Sequence, residues 1–272
     1  SADSKHLAEE LRSALLADAL VLHYQPVLDL RTGRVCGVEA LVRWRHPERG
    51  LLQPADFLGP AEAAGLMAPL TRAVLARAIG QTARWRAGGQ ELTVAVNLSA
   101  GSLLDRELPT LVVELLAAHD LPPAFLTVEV AEEVLRPELA HVREILAGLR
   151  SAGVTIAVDS FGSGFTSFAY LHDLPVDEVK LDRRFVGAAG DDALAGAVVT
   201  SATDLAHALG LRLVAVGVED AAAIDDLARR GCDLAQGFAM SAPLPADELE
   251  SWLHEHAAPG LRRPAVDRPN AG

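Results

Sequence analysis

The strongest constraint on how this chain can fold is a rhythm. β-like apolar runs recur along its length, alternate with helical patterns, and are closed by polar residues: Glu39, Asn97, Glu129, Asp159, Lys180 and Gln236. At one run end, Val216, the residue is apolar instead. Runs such as 154–158 and 211–216 are apolar at almost every position, as strands covered on both faces are. Repeated strand–helix units of this kind predict an α/β fold with a parallel sheet. Polar residues at nearly every strand end favour closure into a TIM-type (β/α)8 barrel, because an open doubly wound sheet, the alternative, concentrates them at one crevice.

Element by element, residues 5–17 read as an amphipathic helix with Leu7, Leu11, Leu15 and Leu16 on one face. Strands at 21–30 and 35–44, joined by the turn Arg31-Thr32-Gly33, form a hairpin that makes the first barrel strand antiparallel. Helices at 55–64 and 68–87 precede a strand at 92–98, and a helix over 101–118 precedes a strand at 125–130. A helix at 138–152, strands at 154–159 and 177–182, and a helix at 192–209 follow. The strand 211–216, helix 220–230, short strand 232–236 and helix 245–256 complete the pattern. The domain is thus expected over 1–256, with 257–272, rich in Pro and Gly, as a flexible tail. The abrupt start suggests a domain cut from a longer protein.

The chain has 272 residues, a size that α/β barrels reach as single domains. No apolar stretch is long enough to span a bilayer, and 1–10 lack the order of a secretory signal. Cys36 and Cys232 offer no disulfide framework, so a cytoplasmic setting is expected, with no membrane contact by this segment. A net charge of −13 excludes general affinity for polymeric nucleic acid or anionic lipid. An anionic ligand must be held locally. Only Lys5 and Lys180 are lysines in a chain that otherwise uses Arg, so the ammonium at a buried-looking strand end has a particular task.

In such a barrel the strand C-termini open on one face. Glu39, Asn97, Glu129 and Asp159 would supply oxygen donors there to a hard cation, and Mg²⁺ or Mn²⁺ suits that set better than Zn²⁺. The nine histidines, His6, His23, His46, His119, His141, His172, His207, His254 and His256, show no ligand-like spacing. Trp85 and Trp252 read as helix-packing residues, while Trp44, beside Arg43, fits the pocket rim or the core equally.

Taken together, Gln25-Pro26, Glu39-Ala40-Leu41, Asn97-Leu98-Ser99, Glu129-Val130-Ala131-Glu132, the segment Asp159 to Gly164, Lys180-Leu181-Asp182, Gly217-Val218-Glu219 and Gln236-Gly237-Phe238 resemble the EAL domain of bacterial cyclic-di-GMP signalling. The resemblance runs in order from about residue 8 to 255. It implies a barrel phosphodiesterase that opens cyclic-di-GMP to its linear dinucleotide with two metal ions. It makes Glu39, Asn97, Glu129 and Asp159 ligands of the first ion, with Asp159 bridging to the second. Lys180 would hold the attacking water or a phosphate oxygen, Arg43 and Gln25 would touch the ligand, and Gln236 would support the pocket floor. Glu132 would brace the loop containing Gly162 and Gly164, a segment that fits either an anion nest or a closing loop.

Three positions depart from the family pattern. Ser160 replaces a second Asp, Val216 replaces a Glu that serves the second metal or acts as base, and Ala131 replaces a Thr. The first two fall on one half of the site: a hydroxyl is a weaker Mg²⁺ ligand than a carboxylate, and a Val side chain ligates nothing. Loss of a general base costs on the order of 10²- to 10⁴-fold in rate. Glu219 or Asp220, both beyond the strand end, could stand in. One metal site is therefore expected complete and the second degraded. The expectation is a cyclic-di-GMP-binding receptor with impaired catalysis. Its alternatives are a working metal-dependent phosphodiesterase and a non-binding scaffold. Expected partners are cyclic-di-GMP, GGDEF or sensor-type domains, fused or separate, and a second copy of the chain.

Overall fold

A computed structural model of the protein describes residues 2–135, 140–162, 171–186 and 193–256. The expected tail, 257–272, and Gly164 lie outside the described residues. Helix α1 (Ala2–Leu16) leads into β1 (Leu20–Asp29) and β2 (Arg34–His46), which form a long antiparallel hairpin. Its turn closes because the Asp29 carboxylate accepts hydrogen bonds from the N–H groups of Arg31 (2.9 Å) and Thr32 (2.8 Å). A short β3 (Gly50–Leu52) pairs back on the end of β2. Next come α2 (Pro54–Ala63), α3 (Met67–Ala87), β4 (Thr93–Leu98), α4 (Leu108–Ala118), β5 (Leu126–Ala131), α5 (Ala140–Ser151), β6 (Thr155–Phe161) and β7 (Glu178–Leu181). The short α6 (Arg183–Val186), α7 (Ala193–Ala208), β8 (Arg212–Val216), α8 (Ala221–Arg229), β9 (Leu234–Gln236) and α9 (Ala246–His256) complete the order.

Strands β2 and β4 to β9 run parallel in sequence order, and β1 closes the ring by pairing antiparallel with both β2 and β9. The result is the eight-stranded barrel with one reversed strand that the sequence pattern predicts. Strand alternation explains both of its faces. Val94, Val96, Val128, Val130, Ile156, Val158, Val179 and Leu213 are fully buried between the barrel and its helices. The intervening residues Ala95, Thr127, Glu129, Thr155, Lys180 and Val214 line the interior instead. Helix α5 meets the barrel with Val142, Ile145, Leu146 and Leu149, the spacing of one helical face.

Two segments differ from expectation. The helix predicted over 101–118 is a single 3₁₀ turn, Ser102–Leu104, followed by α4. The break falls where the Asp105 carboxylate accepts the Glu107 N–H at 2.9 Å, a local bond that competes with helix continuation, and Pro109 sits in the first turn of α4, where it needs no donor. Strand β2 runs beyond residue 44 because β3, which the sequence pattern does not reveal, extends it. His46 Nδ1 accepts the N–H groups of Glu48 and Arg49, both at 3.1 Å, and so shapes the connecting turn. Trp44, left open between rim and core, is buried against Phe57, ring centroids 5.9 Å apart.

The N-terminal ends of two parallel strands are held by loop carboxylates. Asp177 accepts the Ile156 N–H at 3.0 Å and Arg150 Nε at 2.9 Å, and Asp233 accepts the Leu213 N–H at 2.7 Å. Above them the barrel interior keeps a cavity of ≈ 100 Å³, walled by Thr93, Thr127, Thr155 and the Glu178–Arg212 ion pair. Among the described residues no helix is long and apolar enough to cross a membrane.

Removing the Asp177 carboxylate leaves the Ile156 N–H without its acceptor at a buried strand start. Asp177→Ala is expected to cost about 1–3 kcal/mol, read as a lower urea midpoint with an unchanged slope. Asp177→Asn, which keeps an acceptor oxygen, is expected to cost less.

Candidate functional site

The polar strand residues meet at the C-terminal mouth of the barrel, and the register shows how. Gln25 pairs with Glu39 across β1 and β2, Asn97 lies beside Glu129, Ala131 beside Asp159, and Val216 beside Gln236. Glu39 does not close its strand as expected; it lies midway along β2, because β2 continues past the mouth to carry Arg43 on the same face.

At the centre is Lys180. Its Nζ donates to Glu39 Oε2 at 2.9 Å and to both Glu129 oxygens at 2.7 and 2.6 Å. Glu39 also accepts from Asn97 Nδ2 at 2.7 Å and from Gln236 Nε2 at 2.6 Å. Gln236 Nε2 donates again to Gln25 Oε1 at 3.0 Å, and Gln25 Nε2 donates to the Ser241 carbonyl at 3.1 Å. These bonds fix both amide orientations and leave Gln236 Oε1 as a buried acceptor with no partner among the described residues. Glu39, Glu129, Lys180, Gln25, Gln236 and Arg43 are all buried, whereas Asn97 is exposed at the opening.

Charge follows from this geometry. Burial opposes ionisation of Glu39, but the Lys180 charge and the hydrogen bonds from Gln236, Lys180 and Asn97 hold its carboxyl below the usual range. Burial, then the neighbouring Glu39 carboxylate, push Glu129 up to about 8 against the pull of Lys180. For Lys180 burial works against the charge, yet Glu129, Glu39 and Asp159 outweigh it and raise the ammonium above its ordinary value. With all three carboxyls ionised, as when a cation takes the place of the Glu129 proton, they would face one ammonium and leave a deficit of two positive charges. A divalent cation matches that deficit, and the carboxylate and amide oxygens match a hard one. Among the described residues no three acidic, His or Cys side chains are gathered into a ready-made cage. Lys180 occupies the space between Glu39 and Glu129, so an ion held there must share or displace its hydrogen bonds.

The other half of the mouth is built differently. The pairing of β6 with β7 is irregular between Val158 and Phe161. Asp159 and Ser160 fall in that break, which frees the adjacent residues from strict alternation. Ser160 has φ 55° and donates its N–H to Asp159 Oδ1 at 2.8 Å. The left-handed conformation suits Asp or Asn better than Ser. Gly162, at φ 90°, donates its N–H to buried Glu132 Oε2 at 3.0 Å, so Glu132 grips the start of the loop. Val216, on the same face of β8 as cavity-lining Val214, puts an isopropyl group beside Gln236. Glu219 is exposed beyond Gly217 and outside the Lys180 network. Ala131 is exposed at the end of β5.

Sequence reasoning passed over two residues. Asp182 Oδ1 accepts the Arg184 N–H at 2.9 Å, opening α6 directly after Lys180; an Asp two residues before a backbone donor is a legible cap signal. His23 lies two residues from Gln25 on the same face of β1, and burial, followed by the nearby Arg43 charge, lowers its pKa. Nothing in sequence spacing marks it.

An eight-stranded barrel with one reversed strand carries an oxygen-rich, lysine-centred cluster at its mouth. Residues 8–243 match the EAL domain family, and the chain belongs to it. It is 41% identical over 264 residues to the cyclic di-GMP phosphodiesterase NbdA of Pseudomonas aeruginosa, covering 94% of this chain and 33% of that protein. It is 40% identical over 244 residues to the bifunctional diguanylate cyclase/cyclic di-GMP phosphodiesterase MucR of the same organism, covering 89% of this chain and 36% of MucR. A structure of the PaMucR phosphodiesterase in complex with c-di-GMP superposes with TM-score 0.84 at 40% identity, over 90% of this chain and 99% of that one. The FimX EAL domain of Xanthomonas citri, also in complex with c-di-GMP, gives 0.83 at 27% identity, over 89% of this chain and 95% of that one. The chain spans 30–42% of the length of the first curated relatives it matches.

Between the ordinary value of 4.5 and about 8, the folded chain holds a Glu129 proton that the unfolded chain releases. Stability from this group therefore falls as pH rises through that window. Glu39 acts in the opposite sense, its contribution complete above the ordinary 4.5 and lost as pH falls from there through its depressed folded value. In EDTA the thermal midpoint is expected to decline from about pH 5 to about pH 8, and to do so less in Glu129→Gln. Millimolar Mn²⁺ is expected to flatten the decline, because the cation replaces the proton. An equal slope for wild type and Glu129→Gln in EDTA would refute the proton retained on Glu129.

Proposed function

We propose that this EAL domain binds cyclic-di-GMP as a receptor module and hydrolyses it poorly or not at all. The carrying observation is the asymmetry of the mouth. On one side Glu39, Asn97, Glu129 and Lys180 form one connected network, braced by Gln25 and Gln236 and flanked by Asp159 and Arg43. On the other, Ser160 and Val216 occupy the positions from which a second cation or a base would be served. Complexes of related EAL domains with c-di-GMP support the choice of ligand.

In this reading Glu39, Asn97, Glu129 and Asp159 hold one Mg²⁺ or Mn²⁺, which supplies positive charge for a phosphodiester oxygen. Lys180 shares its hydrogen bonds with that ion and carries positive charge at the floor of the pocket. Arg43, on the same β2 face as Glu39, offers a guanidinium fork to a phosphate or a guanine edge. Gln236 and Gln25 keep the Glu39 carboxylate aimed into the mouth, and Glu132 steadies the loop after Asp159 through Gly162. Hydrolysis needs a water activated opposite the leaving oxygen, which paired cations about 3.5–4 Å apart provide in two-metal sites. Val216 and a neutral Ser160 give such a second ion little to hold it.

A second reading, an active phosphodiesterase, is favoured by the names of relatives near 40% identity, with Glu219 or a rearranged second ion supplying the base. A non-binding scaffold is disfavoured by the intact network. Neighbouring signalling domains, a second copy of the chain and a cytoplasmic location belong to the same proposal.

Calorimetry with cyclic-di-GMP in Ca²⁺, together with chromatographic detection of linear product in Mg²⁺ or Mn²⁺, separates the readings. Binding without product supports the receptor; turnover on the order of 1 s⁻¹, within the ordinary enzymatic range, supports the enzyme. The pair Ser160→Asp and Val216→Glu is expected to raise turnover by on the order of 10²-fold or more. An unchanged rate and unchanged metal stoichiometry would show that the defect lies elsewhere.

A further inference from the structure

Both departures flank β7, and α6 follows that strand directly. The short helix is wedged between the loops of its two neighbours. A Cβ at Gly162, just after Ser160, would stand 2.9 Å from Phe185 Cε2, and a Cβ at Gly217, just after Val216, would stand 2.5 Å from Arg183 Cβ. Both glycines also have positive φ, 90° and 79°, so the close approach of α6 is built into the two loops. The first residues of α6 therefore lie against the loops that directly follow Ser160 and Val216.

Its two arginines differ in their commitments. Arg184 Nε donates to Asp182 Oδ1 at 3.0 Å, and its Nη2 reaches the Gly162 carbonyl at 3.4 Å. Arg183 is exposed, its Cα and Cβ rest over Gly217, and it makes neither an ion pair nor a hydrogen bond among the described residues. A carboxylate at either flanking position would be a natural partner for this guanidinium. With Ser160 and Val216 there instead, neither position offers it one, and the guanidinium is uncommitted in a protein of net charge −13.

We propose that Arg183 is a ligand-contacting residue whose guanidinium binds a phosphodiester oxygen of the cyclic dinucleotide on the side of the mouth where Ser160 and Val216 cannot retain a second cation. The inference rests on the receptor reading above. A guanidinium offers paired N–H donors matched to phosphate and carries permanent charge, so it meets the electrostatic need of the ligand without supplying an activated water. The half-site is thus converted from a place that works on the phosphodiester to one that grips it. Arg43 and Arg183, on β2 and after β7, would clasp the ligand from opposite sides of the barrel mouth.

The test is calorimetry of cyclic-di-GMP in Ca²⁺ with the wild-type chain, Arg183→Ala, Arg183→Lys and Arg43→Ala, repeated for Arg183→Ala in the Ser160→Asp/Val216→Glu background. Thermal midpoints of the ligand-free proteins monitor folding. Arg183→Ala is expected to weaken binding about 10-fold or more, with Arg183→Lys recovering part of the loss. In the doubly substituted background the same change is expected to cost much less, because a second cation then serves the phosphate. A bystander role predicts the same effect in both backgrounds, so an equal loss overturns the proposal. Unchanged affinity for Arg183→Ala alongside lost affinity for Arg43→Ala also overturns it, while leaving the receptor reading intact. Absence of binding by the wild-type chain overturns the reading and the proposal together.

Discussion

The buried ammonium of Lys180, held between two glutamates inside a β-barrel, is the interaction on which the rest of the molecule turns. An unpaired charge in that position would be strongly destabilising, and so would either glutamate alone. Paired, they convert a problem of burial into a defined arrangement of oxygen atoms. Every neighbouring polar group is committed to keeping that arrangement: Asn97 and Gln236 to Glu39, and Gln25 to Gln236. The barrel supplies the rigidity, because its outer face is a continuous layer of branched aliphatic residues under helices. The inner face is then free to be polar where the strands end.

In the receptor reading proposed above, the two halves of the mouth would separate holding a ligand from transforming it. The Glu39–Glu129 half depends on residues deep in strands, where sheet register fixes side-chain direction. The Ser160–Val216 half depends on a bulge and on the last residue of a strand, where one substitution changes chemistry without disturbing a core. Ser160 and Val216 are both only half-buried. Replacement there is structurally cheap, and in that reading its consequences fall on chemistry more than on folding.

Much of the fold was legible because strand burial on both faces and helix periodicity leave strong sequence signals. The reversed first strand could be read from the hairpin turn at Arg31-Thr32-Gly33, and the barrel from polar residues at successive strand ends. What escaped was governed by local competition. The break at Asp105 depends on one side-chain hydrogen bond, and β3 is too short to show a period. The site was legible as a set of residues but not as a network: sequence spacing brings Lys180 near two acids without saying that it bonds both. Glu39 stood mid-strand already in the expected run 35–44, so reading it as a strand-closing residue was at odds with that run, and pairing with β3 adds only the last residues of β2. Nor could spacing reveal that the arginine after Asp182 lies against the glycine after Val216, a contact made across two strands and 34 residues of chain.

The seam of the barrel carries one more implication. The ring is closed where β1 meets β9, a junction of only three paired positions among the described residues, and the Gln25–Gln236 amide pair links side chains across it. Those same amides steer Glu39. Closure of the sheet and alignment of the pocket are therefore a single structural event: a cut or a pull that parted the first strand from the last would disarm the pocket while most of the aliphatic shell stayed in place.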